Sequence, residues 1–267
     1  MKPSRIKAKL RENEPVMIIS LHLTDPSIFE LAGLMGFDGI WMDMEHHFYS
    51  LETGGGMMRA FRVFGGDILA RCANREFMRM ARMLEAGANG IMYPRCADAD
   101  EAAELVKWAK FPPMGQRGVD GGNADMPYCT MNVEEYIRQA NNETFIVAQL
   151  EDPRAVENAE AIGSVEGVDV LMLGPGDFSV QSGIPGQFDH PKLHKAVDTI
   201  ARAARNTGKH WGMPMNSGER IGQCLEMGAR FILHCSDLMI IKDKFDRIQE
   251  EFRPMGFTYE NRLEAQS

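Results

Sequence analysis

Four times along this 267-residue chain a helical stretch ends at a glycine and passes directly into a short apolar run. The joints are Leu34-Met35-Gly36-Phe37-Asp38-Gly39-Ile40, Leu84-Glu85-Ala86-Gly87-Ala88-Asn89-Gly90-Ile91, Val165-Glu166-Gly167-Val168-Asp169-Val170-Leu171 and Leu225-Glu226-Met227-Gly228-Ala229-Arg230-Phe231-Ile232. A chain leaves a helix most easily through a left-handed cap at glycine, and the run that follows each cap has strand length. Repeating this join alternates helix with strand, which places the strands parallel in a sheet covered by helices. Parallel strands buried on both faces read as continuous apolar runs. Eight such runs are expected, at Val16–Ser20, Gly39–Asp43, Ile68–Arg71, Gly90–Pro94, Phe145–Leu150, Val170–Gly174, His210–Met213 and Phe231–His234. Eight β/α units in about 250 residues describe a (β/α)8 barrel, so the fold class is α/β, a single TIM barrel. A doubly wound open sheet is the alternative.

Residues 1–267 are therefore expected to form one barrel domain with a C-terminal helical extension. The extension, Met239 to about Glu251, is amphipathic, and the polar remainder to Ser267 is long enough to reach a neighbouring subunit, so a homo-oligomer is expected. Spacing is uneven between the fourth and fifth strands, where about 50 residues hold two helical stretches separated by Phe111-Pro112-Pro113-Met114-Gly115-Gln116-Arg117-Gly118. Long excursions in a compact barrel usually cover its site, and that position is expected here.

Composition narrows the function. With 44% hydrophobic and 25% charged residues the chain can bury a large core, whose gaps the 20 methionines fill. A net charge of −9 argues against nucleic acid or an anionic membrane as partner, because phosphate binding needs a basic patch. An anionic substrate must then be held by a local cation or a metal. Cys72, Cys96, Cys129, Cys224 and Cys235 are scattered and show no CxxC spacing, so neither a disulfide framework nor a zinc site is signalled. No stretch approaches the roughly 20 apolar residues of a membrane span, and the basic N-terminus is not followed by an export signal. A cytoplasmic protein is expected.

Barrel enzymes carry their chemistry where strands end, so polar residues closing an apolar run are the candidates. The second strand closes with Asp43-Met44-Glu45-His46-His47, the third with Arg71, the fifth with Gln149-Leu150-Glu151, and the sixth leads into Gly174-Pro175-Gly176-Asp177. Glu151 and Asp177 follow consecutive strands, and two converging carboxylates with room for water suit octahedral Mg2+ or Mn2+ better than zinc. Each could instead cap the next helix. The backbone N–H groups of Gly176 and Asp177 could hold a carboxylate, although a plain strand-to-helix turn reads the same way. His46 is the natural proton-transfer group, with His47 its competitor. Arg71 would either stabilise a developing enolate oxygen or form a salt bridge to Glu45 or Asp43.

Taken in order, Asp43-Met44-Glu45-His46, Arg71, Gly115-Gln116-Arg117-Gly118, Gln149-Leu150-Glu151 and Gly174-Pro175-Gly176-Asp177-Phe178-Ser179 resemble the HpcH/HpaI aldolase family, metal-dependent class II aldolases acting on 4-hydroxy-2-keto acids. The resemblance implies a pyruvate unit that chelates a divalent metal (Mg2+, Mn2+ or Co2+) held by Glu151 and Asp177. It implies that His46 moves the proton, that Arg71 stabilises the enolate-like transition state, that Gln149 contacts substrate, and that the Gly176 amide meets the substrate carboxylate. Glu85 stands where many members have an aspartate paired with the catalytic histidine, one methylene shorter. Hexamers built from dimers that exchange C-terminal helices are also implied. The segment Val119–Met126 and His47-Phe48-Tyr49 differ from the family pattern and are expected to flank the mouth and set the aldehyde. The reading is a carbon–carbon lyase releasing pyruvate and an aldehyde. The alternative is oxaloacetate decarboxylation or a synthase-type condensation through the same enolate.

Overall fold

The computed structural model describes residues 2–260. Eight parallel strands close in sequence order into one barrel: β1 (Val16–Ser20), β2 (Gly39–Asp43), β3 (Asp67–Arg71), β4 (Gly90–Tyr93), β5 (Phe145–Leu150), β6 (Val170–Leu173), β7 (His210–Pro214) and β8 (Phe231–Ser236). The open-sheet alternative is thereby excluded, because β8 pairs with β1. Helices α1 (Arg5–Arg11), α2 (Pro26–Leu34), α3 (Leu51–Arg62), α4 (Phe77–Ala86), α5 (Ala99–Ala109) and α6 (Val133–Glu143) belong to the first half. The second half carries α7 (Pro153–Glu157), α8 (Ala159–Gly163), α9 (Pro175–Gln181), α10 (Pro191–Thr207), α11 (Gly218–Glu226) and α12 (Asp237–Phe252). At the four repeated joints Gly36, Gly87, Gly167 and Gly228 all have positive φ, between 82° and 130°, which is why glycine recurs there.

Strand alternation divides the core into two layers. Inside the barrel lie Val16, Ile18, Leu69, Met92, Phe145, Val147, Val170, Met172, Phe231 and Leu233, while the opposite faces pack against the helices. Phe145 and Phe231 meet edge to face at 6.3 Å, and each fully buried ring contributes about 2–3 kcal/mol. They fit because small residues face them. A Cβ on Gly90 would lie 2.2 Å from the Phe145 ring, and one on Gly212 would lie 1.6 Å from the Phe231 carbonyl oxygen.

The N-terminal end of the barrel is sealed by α1, whose Ile6 and Leu10 join the inner layer. Ser4 Oγ accepts from Lys7 N, capping the helix, and donates to Asp67 Oδ2 at 2.7 Å; the Ile6 amide donates to the same oxygen at 2.7 Å. Burial pushes Asp67 up to about 6 despite these bonds. The plug confines polar inward-facing residues to the other end.

The long excursion between β4 and β5 lies elsewhere than expected. It leaves α5 at the sealed end, where the Ala124 amide donates to Glu85 O and Arg62 Nη1 donates to Ala124 O. Arg117 is buried against Asp125 and Tyr136. Residues 110–132 therefore do not cover the mouth of their own barrel, and Val119–Met126 does not flank it. A helix that follows a barrel strand runs back to the opposite end, so a loop after α5 cannot reach the mouth unless it turns back along the wall. Helix α12 occupies the C-terminal segment: only its Asp237 is buried, and Leu238, Met239, Ile240 and Phe245 are exposed. Of the final stretch expected to reach a neighbour, residues 261–267 lie outside the described residues.

Candidate active site

At the C-terminal mouth, the strand positions that bury apolar side chains deeper in the barrel carry polar ones. A cavity of about 550 Å³ opens there, lined by Trp41, Arg71, Gln149, Glu151, the Gly174–Asp177 turn and the residues that follow β7. A volume of this size suits a small-molecule ligand.

Arg71 is the best-anchored group. It is buried, its Nε and Nη2 donate to Asp43 Oδ1 and Oδ2 at 2.9 and 2.6 Å, and its Nη1 donates to Gln149 Oε1 at 3.3 Å. The guanidinium lies 4.8 Å from the centre of the Trp41 ring, and Glu45 Oε2 is 3.5 Å from Nε. A bidentate pair of this kind fixes the plane of the guanidinium. Burial alone would raise the Asp43 carboxyl, but the Arg71 guanidinium outweighs it and holds the group below the usual range. The salt-bridge reading of Arg71 holds, with Asp43 as the closer partner, and the side chain also lines the cavity.

Glu151 is buried on the cavity wall with its Oε2 accepting the Arg95 amide at 2.9 Å. Burial, reinforced by the negative charges of Asp177 and Glu45, pushes it up to about 7 despite Arg71 and the Arg95 amide. A carboxylate that resists ionisation in an open pocket is one that gains from a nearby cation. Its Oε1 occupies the space beside Gly174, where a Cβ would sit 2.3 Å away. Asp177 opens α9, whose N-cap is Gly174 and whose first residue is Pro175, so no side chain caps the Gly176 and Asp177 amides. Among the described residues no cluster of three or more His, Cys, Asp or Glu side chains could hold a metal. The donor set on the cavity wall is two carboxylates, which fits Mg2+ or Mn2+, ions that keep several waters and take the rest of their shell from substrate.

His46 and His47 stand at the rim. His46 is more than half exposed, with its Nε2 3.7 Å from Glu45 Oε2. Glu45 is itself buried and bound to Arg95 Nη2 at 2.5 Å. His47 packs edge-on against His22 at 4.0 Å, and burial followed by the His22 charge lowers its proton affinity. The Glu85 side chain is not brought to His46 within this chain. It ends α4 at the sealed face, where burial raises its carboxyl and Arg117 partly offsets the rise.

Several mouth residues were not legible as candidates. His22 Nδ1 is 3.0 Å from Asp237 Oδ1 and its Nε2 is 3.2 Å from Ser20 Oγ, while Asp237 also accepts the amides of His22, Leu23 and Leu238. Their partners lie 215 positions apart, across the β1–β8 closure, and no local spacing announces that pair. Asp189 and Arg220 also line the cavity; they come from loops whose course depends on the closed barrel.

Comparison with known proteins gives the site a context. The chain is 30% identical over 253 residues to the 5-keto-4-deoxy-D-glucarate aldolase of Klebsiella pneumoniae, covering 94% of this chain and 97% of that protein. It is 28% identical to a 2-keto-3-deoxy-L-rhamnonate aldolase of Escherichia coli over 241 residues, 90% of each. Among solved structures, the HpcH/HpaI aldolase from Desulfitobacterium hafniense DCB-2 superposes with a TM-score of 0.88 at 30% identity, covering 92% of this chain and 96% of that one. The family model for HpcH/HpaI aldolase/citrate lyase matches residues 17–243. On barrel, mouth and sequence alike, the chain belongs to the HpcH/HpaI aldolase/citrate lyase family.

Proposed function

We propose that this enzyme, an aldolase by family, cleaves a 4-hydroxy-2-keto acid into pyruvate and an aldehyde, with Glu151 and Asp177 holding a divalent cation at the mouth. The observation that carries this is the cavity wall, where the buried carboxylate of Glu151 is grouped with Asp177 and with Arg71, itself ion-paired to Asp43. A divalent cation held there would supply Lewis-acid charge to a bound 2-keto acid.

The remaining work falls to this chain's own side chains. The uncapped Gly176 and Asp177 amides receive the substrate carboxylate at the start of α9. Gln149 gives its carbonyl oxygen to Arg71, which leaves its –NH2 to donate to substrate. Arg71, held flat by Asp43, presents fixed charge to oxygen as it becomes anionic and needs no reorganisation to do so. His46 at the rim moves the proton of the 4-hydroxyl group. Because Glu85 lies at the opposite end of the barrel, it could assist His46 only from another copy of the chain. The exposed apolar residues Leu238, Met239, Ile240 and Phe245 on α12 support a homo-oligomer, with a hexamer the assembly inferred from the family resemblance. Among the described residues no helix is long and apolar enough to cross a membrane, and a cytoplasmic location is part of the proposal.

The test is product analysis. Pyruvate incubated with a panel of short aldehydes and Mg2+, Mn2+ or Co2+ should yield 4-hydroxy-2-keto acids detectable by mass spectrometry, and chelation should abolish them. Oxaloacetate consumption with no aldol product from any aldehyde would favour decarboxylation instead.

A further inference from the structure

Cleavage of a 4-hydroxy-2-keto acid needs two proton transfers, one from the 4-hydroxyl group and one to the carbon left as the enolate. His46 serves the first. A second array at the mouth, Ser20, His22 and Asp237, has the geometry for the other.

Ser20 closes β1. The alternation that places Val16 and Ile18 inside the barrel places Ser20 inside as well, one layer nearer the mouth, and its register partner on β2 is Trp41, which lines the cavity. Ser20 Oγ lies 3.2 Å from His22 Nε2, and His22 Nδ1 lies 3.0 Å from Asp237 Oδ1. The direction of both bonds follows from the acid. Burial alone would raise the Asp237 carboxyl, but the His22 ring and the amides of Leu23, His22 and Leu238 hold it below the usual range. An ionised carboxylate only accepts, so Nδ1 carries the ring proton, Nε2 is left as acceptor, and the Ser20 hydroxyl donates to it. A hydroxyl on the cavity side is thereby joined through an imidazole to a fixed buried charge, which is the polarity a proton relay requires.

Fastening the loop after β1 does not account for the array. Asp237 Oδ2 takes the amides of His22 and Leu23, which ties that loop to the start of α12 without the ring. Placing Asp237 there also distorts β8. Ile18 pairs with Leu233 but Ser20 pairs with Ser236, so β8 takes in one extra residue, and Cys235 adopts φ +60°, a conformation that residues other than glycine hold at a cost. The His22 side chain is 19% exposed and that of Asp237 is fully buried, so the ring can trade its proton with water while its orienting charge stays dry.

We propose that Ser20 and His22 are the catalytic pair for proton transfer at the pyruvate methyl carbon, with Asp237 as their positioning residue. This rests on the aldolase reading above and assigns its second proton transfer. In the addition direction Ser20 Oγ takes a proton from the methyl group as its own proton passes to His22 Nε2; the C–H electron pair becomes the enolate, and the imidazolium stands against Asp237. Cleavage runs the same path backwards. Nε2 returns its proton to Ser20 Oγ, whose proton goes to the enolate carbon and completes pyruvate, and His22 regains a proton from water.

The experiment follows deuterium exchange of the pyruvate methyl group by NMR with Mg2+, beside aldol cleavage. His22→Ala and Ser20→Ala should each cut exchange about 100-fold or more, the usual worth of a positioned acid–base group, and added imidazole should restore exchange to His22→Ala. Cleavage should fall with exchange in these two variants, whereas His46→Ala should lose far more cleavage than exchange. Calorimetric titration of His22→Ala with Mn2+ should give the wild-type affinity. In the metal-free protein, 15N NMR should find neutral His22 as the Nδ1–H tautomer. Wild-type exchange rates in His22→Ala or Ser20→Ala, an Nε2–H tautomer, no rescue by imidazole, or Mn2+ affinity falling in step with exchange would each overturn the proposal. Failure at this level is distinct from failure of the aldolase reading, which would show as no exchange in the wild-type protein.

Discussion

Adding one methyl group at Gly174 should disable the metal site while leaving the barrel folded. Gly174 has φ −94° and ψ 91°, a conformation open to alanine, so the substitution carries no backbone strain. The new Cβ would stand 2.3 Å from Glu151 Oε1, 2.6 Å from its Cγ and 2.8 Å from its Cδ. Carbon and oxygen approach no closer than roughly 3.3 Å without penalty, so the Glu151 carboxylate must retreat by about 1 Å. A misplacement of about 1 Å costs on the order of 100-fold in rate, and disturbed ligand support costs 10- to 100-fold in metal affinity, roughly. Gly176→Ala is the paired control for affinity, since no atom lies within 4 Å of the Cβ it would add. Calorimetric titration with Mn2+ should show Gly174→Ala weakened by about tenfold or more and Gly176→Ala close to wild type, with far-UV circular dichroism unchanged in both. If Gly174→Ala binds Mn2+ as tightly as wild type, Glu151 does not hold the ion from the position described.

Two further outcomes are expected. Asp67 is buried with its carboxyl pushed up to about 6 from 3.8, so the folded state favours the neutral acid. Its contribution is greatest below the unfolded value and is lost as pH rises towards the folded one; urea titrations of wild type against Asp67→Asn should therefore diverge by roughly 2–3 kcal/mol between about pH 4 and pH 7, with wild type losing ground. A constant difference would contradict the account of the α1 plug. For the assembly, His46→Ala and Glu85→Gln should each be nearly inactive in aldol cleavage, yet co-refolded mixtures should recover up to about a quarter of wild-type rate if the two side chains meet between copies. Mixtures no better than their parents would remove Glu85 from the site.

The barrel was legible in the sequence because its signal is local and repeated: four glycine caps, each followed by a buried strand, fix the period. Boundaries shifted by one or two residues where a polar residue opens or closes a strand, as at Asp67 and Ser236. Arg71, Gln149, Glu151 and Asp177 were legible as candidates because strand ends in a barrel must converge. Two features were not. The side on which residues 110–132 emerge depends on helix direction, and a glycine-rich, charged loop looks the same at either end. An ion pair of Arg71 with Glu45 or Asp43 was legible as an alternative, but the choice of Asp43 depends on register, which sets these two residues side by side on β2 and β3. The His22–Asp237 and Arg220–Asp189 contacts arise from closure and loop course, which apolar periodicity does not encode.

The most direct test of the central claim is deuterium exchange at the pyruvate methyl group, followed by NMR in D2O with the wild-type protein and Glu151→Gln. The account predicts exchange in wild type with Mg2+, Mn2+ or Co2+, its loss on chelation, and its near absence in Glu151→Gln at every metal concentration that saturates wild type. Exchange in Glu151→Gln at the wild-type rate, or none in wild type with any of the three ions, would contradict it.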